Sequence, residues 1–330
     1  LIKKPVGAHA FTGSFFLDVF FIISGFLICS ILIKEKESGK YSLKNFYLRR
    51  IIRIWPLYFL VALILIVLVP SLKHAPAELV KTNAAYAFGF AVNFQLMFDE
   101  AAKTYAILWS VCVEEHIYLI LPLLLFLFRG SFKALAFFLF ATGLISLFYF
   151  SSVHQKGGPS PYYNSLCYFY YFGIGALLAV FHKQLLSAKF NWAFSKGVQF
   201  LVMAALFLYV FSFVPEKAYI YPAWVFLSGF FGAYLVAAAS RADFIFNVKP
   251  SLSRFLGNIS YAMYLVHIFI IMLLVNWVRK KEIHLSPGQV LLWFPLLATA
   301  LAMILSSILH YLYERPILKL KGKYTVVTNK

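Results

Sequence analysis

Residues 109–118 read Trp-Ser-Val-Cys-Val-Glu-Glu-His-Ile-Tyr, and they place two adjacent carboxylates inside a stretch, Ala106 to Phe128, that is otherwise almost wholly apolar. On insertion scales an acidic residue at the centre of a membrane-spanning helix costs roughly 2.5–3.5 kcal/mol, so such groups mark pathways, reaction sites or structural ion pairs. At about 1.5 Å per residue the pair lies roughly 12–14 Å along the helix from Ala106, out of reach of the interface for so short a side chain. Ser110, Glu114 and Tyr118 follow one another at i, i+4 and i+8 and form a polar stripe. Glu115 turns about 100° away, toward Leu108, Cys112 and Leu119. Glu114 is therefore the carboxylate expected to face a cavity.

A second chemically capable group is the run Phe46-Tyr47-Leu48-Arg49-Arg50-Ile51-Ile52-Arg53-Ile54-Trp55-Pro56-Leu57-Tyr58, read as a loop leading into a span. At helical spacing Arg49 and Arg53 are i,i+4 neighbours and Arg50 and Arg53 are i,i+3, so three guanidinium groups share a face. Planar bidentate donors clustered in this way suit phosphate groups. The same residues at an inner membrane interface serve positive-inside topology and bind lipid head groups. Both readings stand on the residues alone.

Other ionisable groups sit in apolar surroundings. Asp18 lies near the start of an apolar run, where an unpaired carboxylate needs a partner. His267, in Ser260-Tyr261-Ala262-Met263-Tyr264-Leu265-Val266-His267, can assist proton transfer or simply satisfy a backbone carbonyl. Glu314, in Tyr313-Glu314-Arg315-Pro316, is placed to pair with Arg49, Arg50 or Arg53, and Pro316 is expected to end its helix by removing a donor. The sequence contains no phosphate-binding Gly-rich loop, no His-Glu-x-x-His and no Gly-x-Ser-x-Gly. Cys29, Cys112 and Cys167 lie in apolar runs without metal-ligand spacing, so neither a metal centre nor a disulfide framework is expected.

The elements that must position these groups are membrane spans. Of the 330 residues 62% are hydrophobic and only 13% charged, which excludes an ordinary soluble domain and predicts an all-α polytopic bundle. Aromatic residues make up 19%, which suits lipid-facing walls and interfacial belts. The formal charge of +18 does not point to nucleic acid, because the basic residues cluster between apolar runs. Nine spans are expected, at 15–33, 54–70, 106–128, 133–151, 162–182, 197–214, 222–240, 258–278 and 289–312. A tenth run, 84–98, contains Gly89, Asn93 and Gln95. If it does not cross, Lys and Arg divide 20 to 10 between the two sides. The rich side then holds 34–53, 183–196, 241–254 and the tail, as the positive-inside bias requires. The run is accordingly read as re-entrant or interfacial, and residue 1 falls outside, as if one upstream span were lacking. No internal repeat or soluble appendage breaks the chain, and 1–330 reads as one integral membrane domain.

Four segments together resemble the membrane acyltransferase-3 family: Asp18-Val19-Phe20-Phe21-Ile22-Ile23-Ser24-Gly25-Phe26-Leu27-Ile28; Arg49-Arg50-Ile51-Ile52-Arg53 with Pro56 and Tyr58; Trp109 through Pro122; and Ser260-Tyr261 through His267. Tyr313-Glu314-Arg315-Pro316 is a fifth, weaker match. The resemblance implies a core of ten transmembrane helices in the inner membrane. It also implies transfer of acyl groups, often acetyl from acetyl-CoA, to hydroxyls of a carbohydrate or lipid-linked glycan. Acyl-CoA is then a co-substrate and not a resident cofactor, and membrane lipids are the surroundings. By resemblance Arg49, Arg50 and Arg53 hold the donor's phosphates. Glu114 and Asp18, with the more variable Glu115, belong to the catalytic centre, and His267 is a further proton-transfer candidate. The family's first helix carries an Arg and a His expected to act as base. No counterpart is evident here, and His9, in a loop with Pro5 and Gly7, is the nearest substitute. Two rival readings are a proton-coupled transporter without acyl chemistry and a truncated, inactive membrane partner. The transporter predicts inverted repeats, and none is found.

Overall fold

A computed structural model of the protein describes residues 8–72, 75–98, 105–211, 221–246, 248–283, 286 and 288–320; the side chains of 8–14, 71–72, 211, 221–222 and 291 are outside the description. Among the described residues every regular element is helical. The first half comprises α1 (Ala8–Glu37), α2 (Leu43–Ala62), α3 (Val69–Leu72), α4 (Ala77–Phe88), α5 (Val92–Phe98), α6 (Trp109–Leu127) and α7 (Phe132–Gln155). The second comprises α8 (Ser165–Val180), α9 (His182–Leu185), α10 (Lys196–Phe211), α11 (Tyr221–Ala239), α12 (Pro250–Lys280), α13 (Phe294–Leu309) and α14 (Arg315–Leu318). Helices are what hydrocarbon permits, since each backbone donor and acceptor is satisfied within its own segment.

Among the described residues six stretches are long and apolar enough to cross a bilayer: Phe15–Glu37, Leu43–Leu68, Tyr105–Leu127, Phe132–Gln155, Pro250–Lys280 and Phe294–Leu318. The three other expected spans appear in different forms. Ser165–Val180 and Ala223–Ala239 are shorter apolar helices, and Ala188–Phe194 with Lys196–Val210 is a pair bent by 47°. The apolar run 84–98 is broken between α4 and α5, where Phe90 takes a left-handed φ of 54°. Its ring stacks on Tyr58 with centroids 4.6 Å apart, and packing of this kind can hold a strained backbone. At about 1.5 Å per residue neither helix spans the roughly 30 Å of hydrocarbon alone.

Three local expectations need correction. Helix α1 begins at Ala8, so His9 lies on a helix and not in a loop, although its side chain falls outside the description. Helix α2 begins at Leu43, so the arginines belong to a spanning helix. Ser42 sets that start by accepting a hydrogen bond from Asn45 N at 3.3 Å, an N-cap that hydropathy alone does not reveal. Pro316 does not end its helix. A π-helical turn at His310–Glu314 widens the backbone just before it, and α14 continues through the proline.

The chain forms two compact units. The first contains residues 1–41, 93–100 and 110–247. Within it α8 is buried along nearly its whole length, and glycines let neighbouring backbones approach it. A Cβ at Gly175 would lie 2.0 Å from Ile22 O on α1, and one at Gly143 on α7 would lie 1.9 Å from Tyr170 N. Small residues at helix contacts are the usual basis of association in lipid, where no hydrophobic drive separates core from surroundings. Gly143→Ala is therefore expected to destabilise by about 1–3 kcal/mol through overpacking. Thermal unfolding in detergent checks this, with Gly197→Ala, which has nothing within 4 Å, as the neutral comparison.

The second unit contains residues 42–92, 101–109 and 248–330. Here Pro56 interrupts the hydrogen-bond ladder of α2, and two tyrosine hydroxyls donate to carbonyls around it. Tyr261 of α12 reaches Ile54 O at 2.9 Å, and Tyr313 reaches Pro56 O at 3.3 Å. Tyr58 donates in turn to Ala87 O of α4 at 2.9 Å. Two of the tyrosines that stood out in sequence thus brace the helix that carries the arginines.

Candidate active-site residues

The polar stripe on α6 is buried, with Ser110 and Glu114 at 1% and 4% exposure. Ser24, on α1 and 90 residues away in the chain, donates to Glu114 Oε1 at 2.7 Å. Tyr118 OH donates to the same oxygen. Two hydroxyls on one carboxylate oxygen are charge-assisted bonds of about 1.5–3 kcal/mol each, which hold the group in a defined rotamer within an apolar helix. Glu115 is half-buried and points elsewhere on the helix.

Asp18 is also buried and also met by hydroxyls. Ser228 Oγ of α11 donates to Asp18 Oδ2 at 2.6 Å, and Tyr171 of α8 supplies another hydrogen bond. Asp18 and Glu114 are thus both met by protein hydroxyls. Such an arrangement keeps an acidic group in the bundle, where it can orient a base and balance its charge.

A third polar cluster in the same unit escaped sequence reading. Helix α8 is capped by Asn164, whose Oδ1 accepts from Leu166 N at 2.9 Å. The next residue, Ser165, has its Oγ 2.8 Å from His116 Nδ1 and accepts from Asn93 Nδ2 at 3.0 Å. Phe94 stacks on the His116 ring with centroids 5.1 Å apart. The one local hint was His116 beside the two glutamates; its partners are Ser165, 49 residues later, and Phe94, from the broken run before α6.

In the second unit the three arginines differ in exposure. Arg49 is buried, Arg50 half-buried and Arg53 exposed. Glu314 is bonded to His310, with Nδ1 and Oε2 3.1 Å apart and both residues buried, while Arg53 acts on it through space. His267 Nδ1 lies 2.6 Å from Tyr264 O, so as an Nδ1–H donor it satisfies a backbone carbonyl of its own helix. None of the three cysteines is in a disulfide, and all are buried.

Helices that cross a membrane, with carboxylates held inside them, define an integral membrane protein with internal polar centres. An acyltransferase-domain family matches residues 3–311, and the chain belongs to that family, acyltransferase-3; it is an acyltransferase. It is 34% identical over 231 residues to an uncharacterised protein of Haemophilus influenzae, covering 62% of this chain and 93% of that one. It is 26% identical to the peptidoglycan O-acetyltransferase OatA of Listeria monocytogenes, over 92% of this chain and 51% of the relative. With the O-acetyltransferase OatA of Staphylococcus aureus the identity is 27%, over 97% and 55%. The chain therefore spans about half the length of these O-acetyltransferases. No solved structure matches it.

Proposed function

We propose that the protein is an O-acyltransferase of the inner (cytoplasmic) membrane that moves an acyl group, acetyl in the simplest case, from acyl-CoA to a hydroxyl of a cell-envelope carbohydrate or lipid-linked glycan. The observation that carries this reading is Glu114, buried in a spanning helix and held by two hydroxyls, in a chain of this family. Peptidoglycan, named for the Listeria relative, is the first acceptor to test. In this reading Arg53, with Arg50 and Arg49 behind it, binds the donor's phosphates through planar bidentate contacts. Glu114 and Asp18 orient and charge-balance the histidine that takes up the acceptor's proton. Purified protein in lipid nanodiscs should release CoA thiol from acetyl-CoA and acetylate the glycan; a transporter would do neither.

The reading includes a single membrane domain with nine crossings: the six long helices, the bent pair and the two shorter apolar helices, with α4 and α5 not crossing. The basic side, 20 Lys and Arg to 10, is cytoplasmic. A cysteine at Ser38 should then be labelled from the cytoplasm and one at Lys156 from outside; both positions are exposed. Labelling of Lys156→Cys from the cytoplasm would mean that 84–98 crosses.

A further inference from the structure

We propose that Ser165 and His116 form a nucleophile–base pair that carries the acyl group as a seryl ester between donor and acceptor. This rests on the acyl-CoA reading above and adds a covalent intermediate to it.

The geometry is that of an activated nucleophile. Ser165 Oγ and His116 Nδ1 are 2.8 Å apart, within the reach expected of a nucleophile and its base. Asn93 Nδ2 already donates to Oγ at 3.0 Å and to Tyr163 O at 3.2 Å. The Tyr163 carbonyl can only accept, so it fixes the amide orientation. With Oγ accepting from Asn93, the serine's own proton points to His116 Nδ1, which selects the Nε2–H tautomer. The Phe94 ring holds the imidazole plane. Ser165 is the first residue of α8, where the positive end of the helix favours a developing oxyanion.

A second observation points to a ligand at the same place. Asn93 is fully buried, and its Oδ1 has no hydrogen-bond partner among the described residues. A buried amide acceptor left unpaired costs about 1–3 kcal/mol, which a donor brought in by a substrate recovers. The amide N–H groups of a pantetheine arm and the hydroxyls of a sugar are both such donors. His116 is half-buried while Ser165 and Asn93 are buried, so the imidazole is the least buried of the three. In the proposed topology the start of α8 is its outer end, the side on which an envelope glycan is met.

The chemistry balances in two halves. Ser165 Oγ attacks the thioester carbonyl carbon, and its proton passes to His116. The C–S bond breaks, and that proton leaves with sulfur as CoA thiol. An acceptor hydroxyl then attacks the seryl ester and gives its proton to His116. The ester C–O bond to Ser165 breaks, and His116 returns the proton to Oγ.

The test is rapid-quench incubation of the purified full chain with acetyl-CoA radiolabelled in its acetyl group and no acceptor, alongside titration of acetyl-CoA binding. The expected result is a burst of about one CoA thiol per chain and one acetyl group on the Ser165 peptide, stable to neutral hydroxylamine. Ser165→Ala should bind acetyl-CoA yet show neither burst nor label. Ser165→Cys should carry the label as a thioester that neutral hydroxylamine removes. His116→Gln should slow labelling by about 10²-fold or more. Donor binding without a burst in the wild type, or a burst that survives Ser165→Ala, overturns the relay and leaves the acyltransferase reading intact. Failure of the wild type to bind or consume acetyl-CoA overturns both.

Discussion

Glu114→Gln is expected to lower acyl transfer by about 10²–10⁴-fold, the range associated with positioned acid–base groups. The substitution keeps an oxygen where Ser24 and Tyr118 donate and removes only the charge. Folding and donor binding should therefore survive. A purely structural role predicts a different pattern: if Glu114 served only a buried ion pair, removing its charge would cost about 3–5 kcal/mol of stability. Thermal unfolding and acyl transfer measured on the same purified variant separate the two. Wild-type turnover in Glu114→Gln would sink the catalytic assignment regardless of its melting behaviour. Glu115→Gln, on a different face of α6, is the internal comparison and should be milder. Tyr118→Phe removes one of the two donors and should fall between them.

Replacing Arg53 with Ala should raise the KM for acyl-CoA by about 10- to 100-fold while the acceptor KM changes little. That factor corresponds to about one charge-assisted hydrogen bond to phosphate, at about 1.5–3 kcal/mol. Arg53 is the informative position because it is exposed, so its loss leaves no buried cavity; truncating the buried Arg49 would confound binding with folding. Arg53→Lys should restore only part of the affinity, since an ammonium cannot reproduce the planar fork. An unchanged donor KM in Arg53→Ala, and again in the triple variant with Arg49 and Arg50, would reduce the cluster to a topological signal.

How much of this was legible in the sequence follows from the range of the forces involved. Hydropathy is a local property, and it located the six long spans, because a run of apolar residues must hide its backbone wherever the rest of the chain lies. The i, i+4, i+8 spacing of Ser110, Glu114 and Tyr118 is equally local, and the hydroxyl of Tyr118 does meet Glu114. Helix starts were less legible. Window hydropathy stopped at the arginines and missed the Ser42 cap, although Arg and Lys are good helix formers. The π turn before Pro316 was likewise invisible, because the preceding turn, and not the proline itself, decides whether the helix goes on.

Side-chain partners belong to the tertiary structure. Ser24 meets Glu114 across 90 residues, Ser228 meets Asp18 across 210, and Asn93 meets Ser165 across 72. No spacing rule connects such positions, and in a membrane protein the usual guide is missing as well. A lipid-facing wall and a packed interior are both apolar, so the pattern along a helix does not say which face meets a neighbour. The sequence alone thus determined a helical membrane chain of the acyltransferase-3 type, with acidic and basic residues at fixed places along its spans. Which hydroxyl meets which carboxylate, and that a serine lies against His116, depended on how the helices pack, at glycines such as Gly143 and Gly175 that let backbones come within contact.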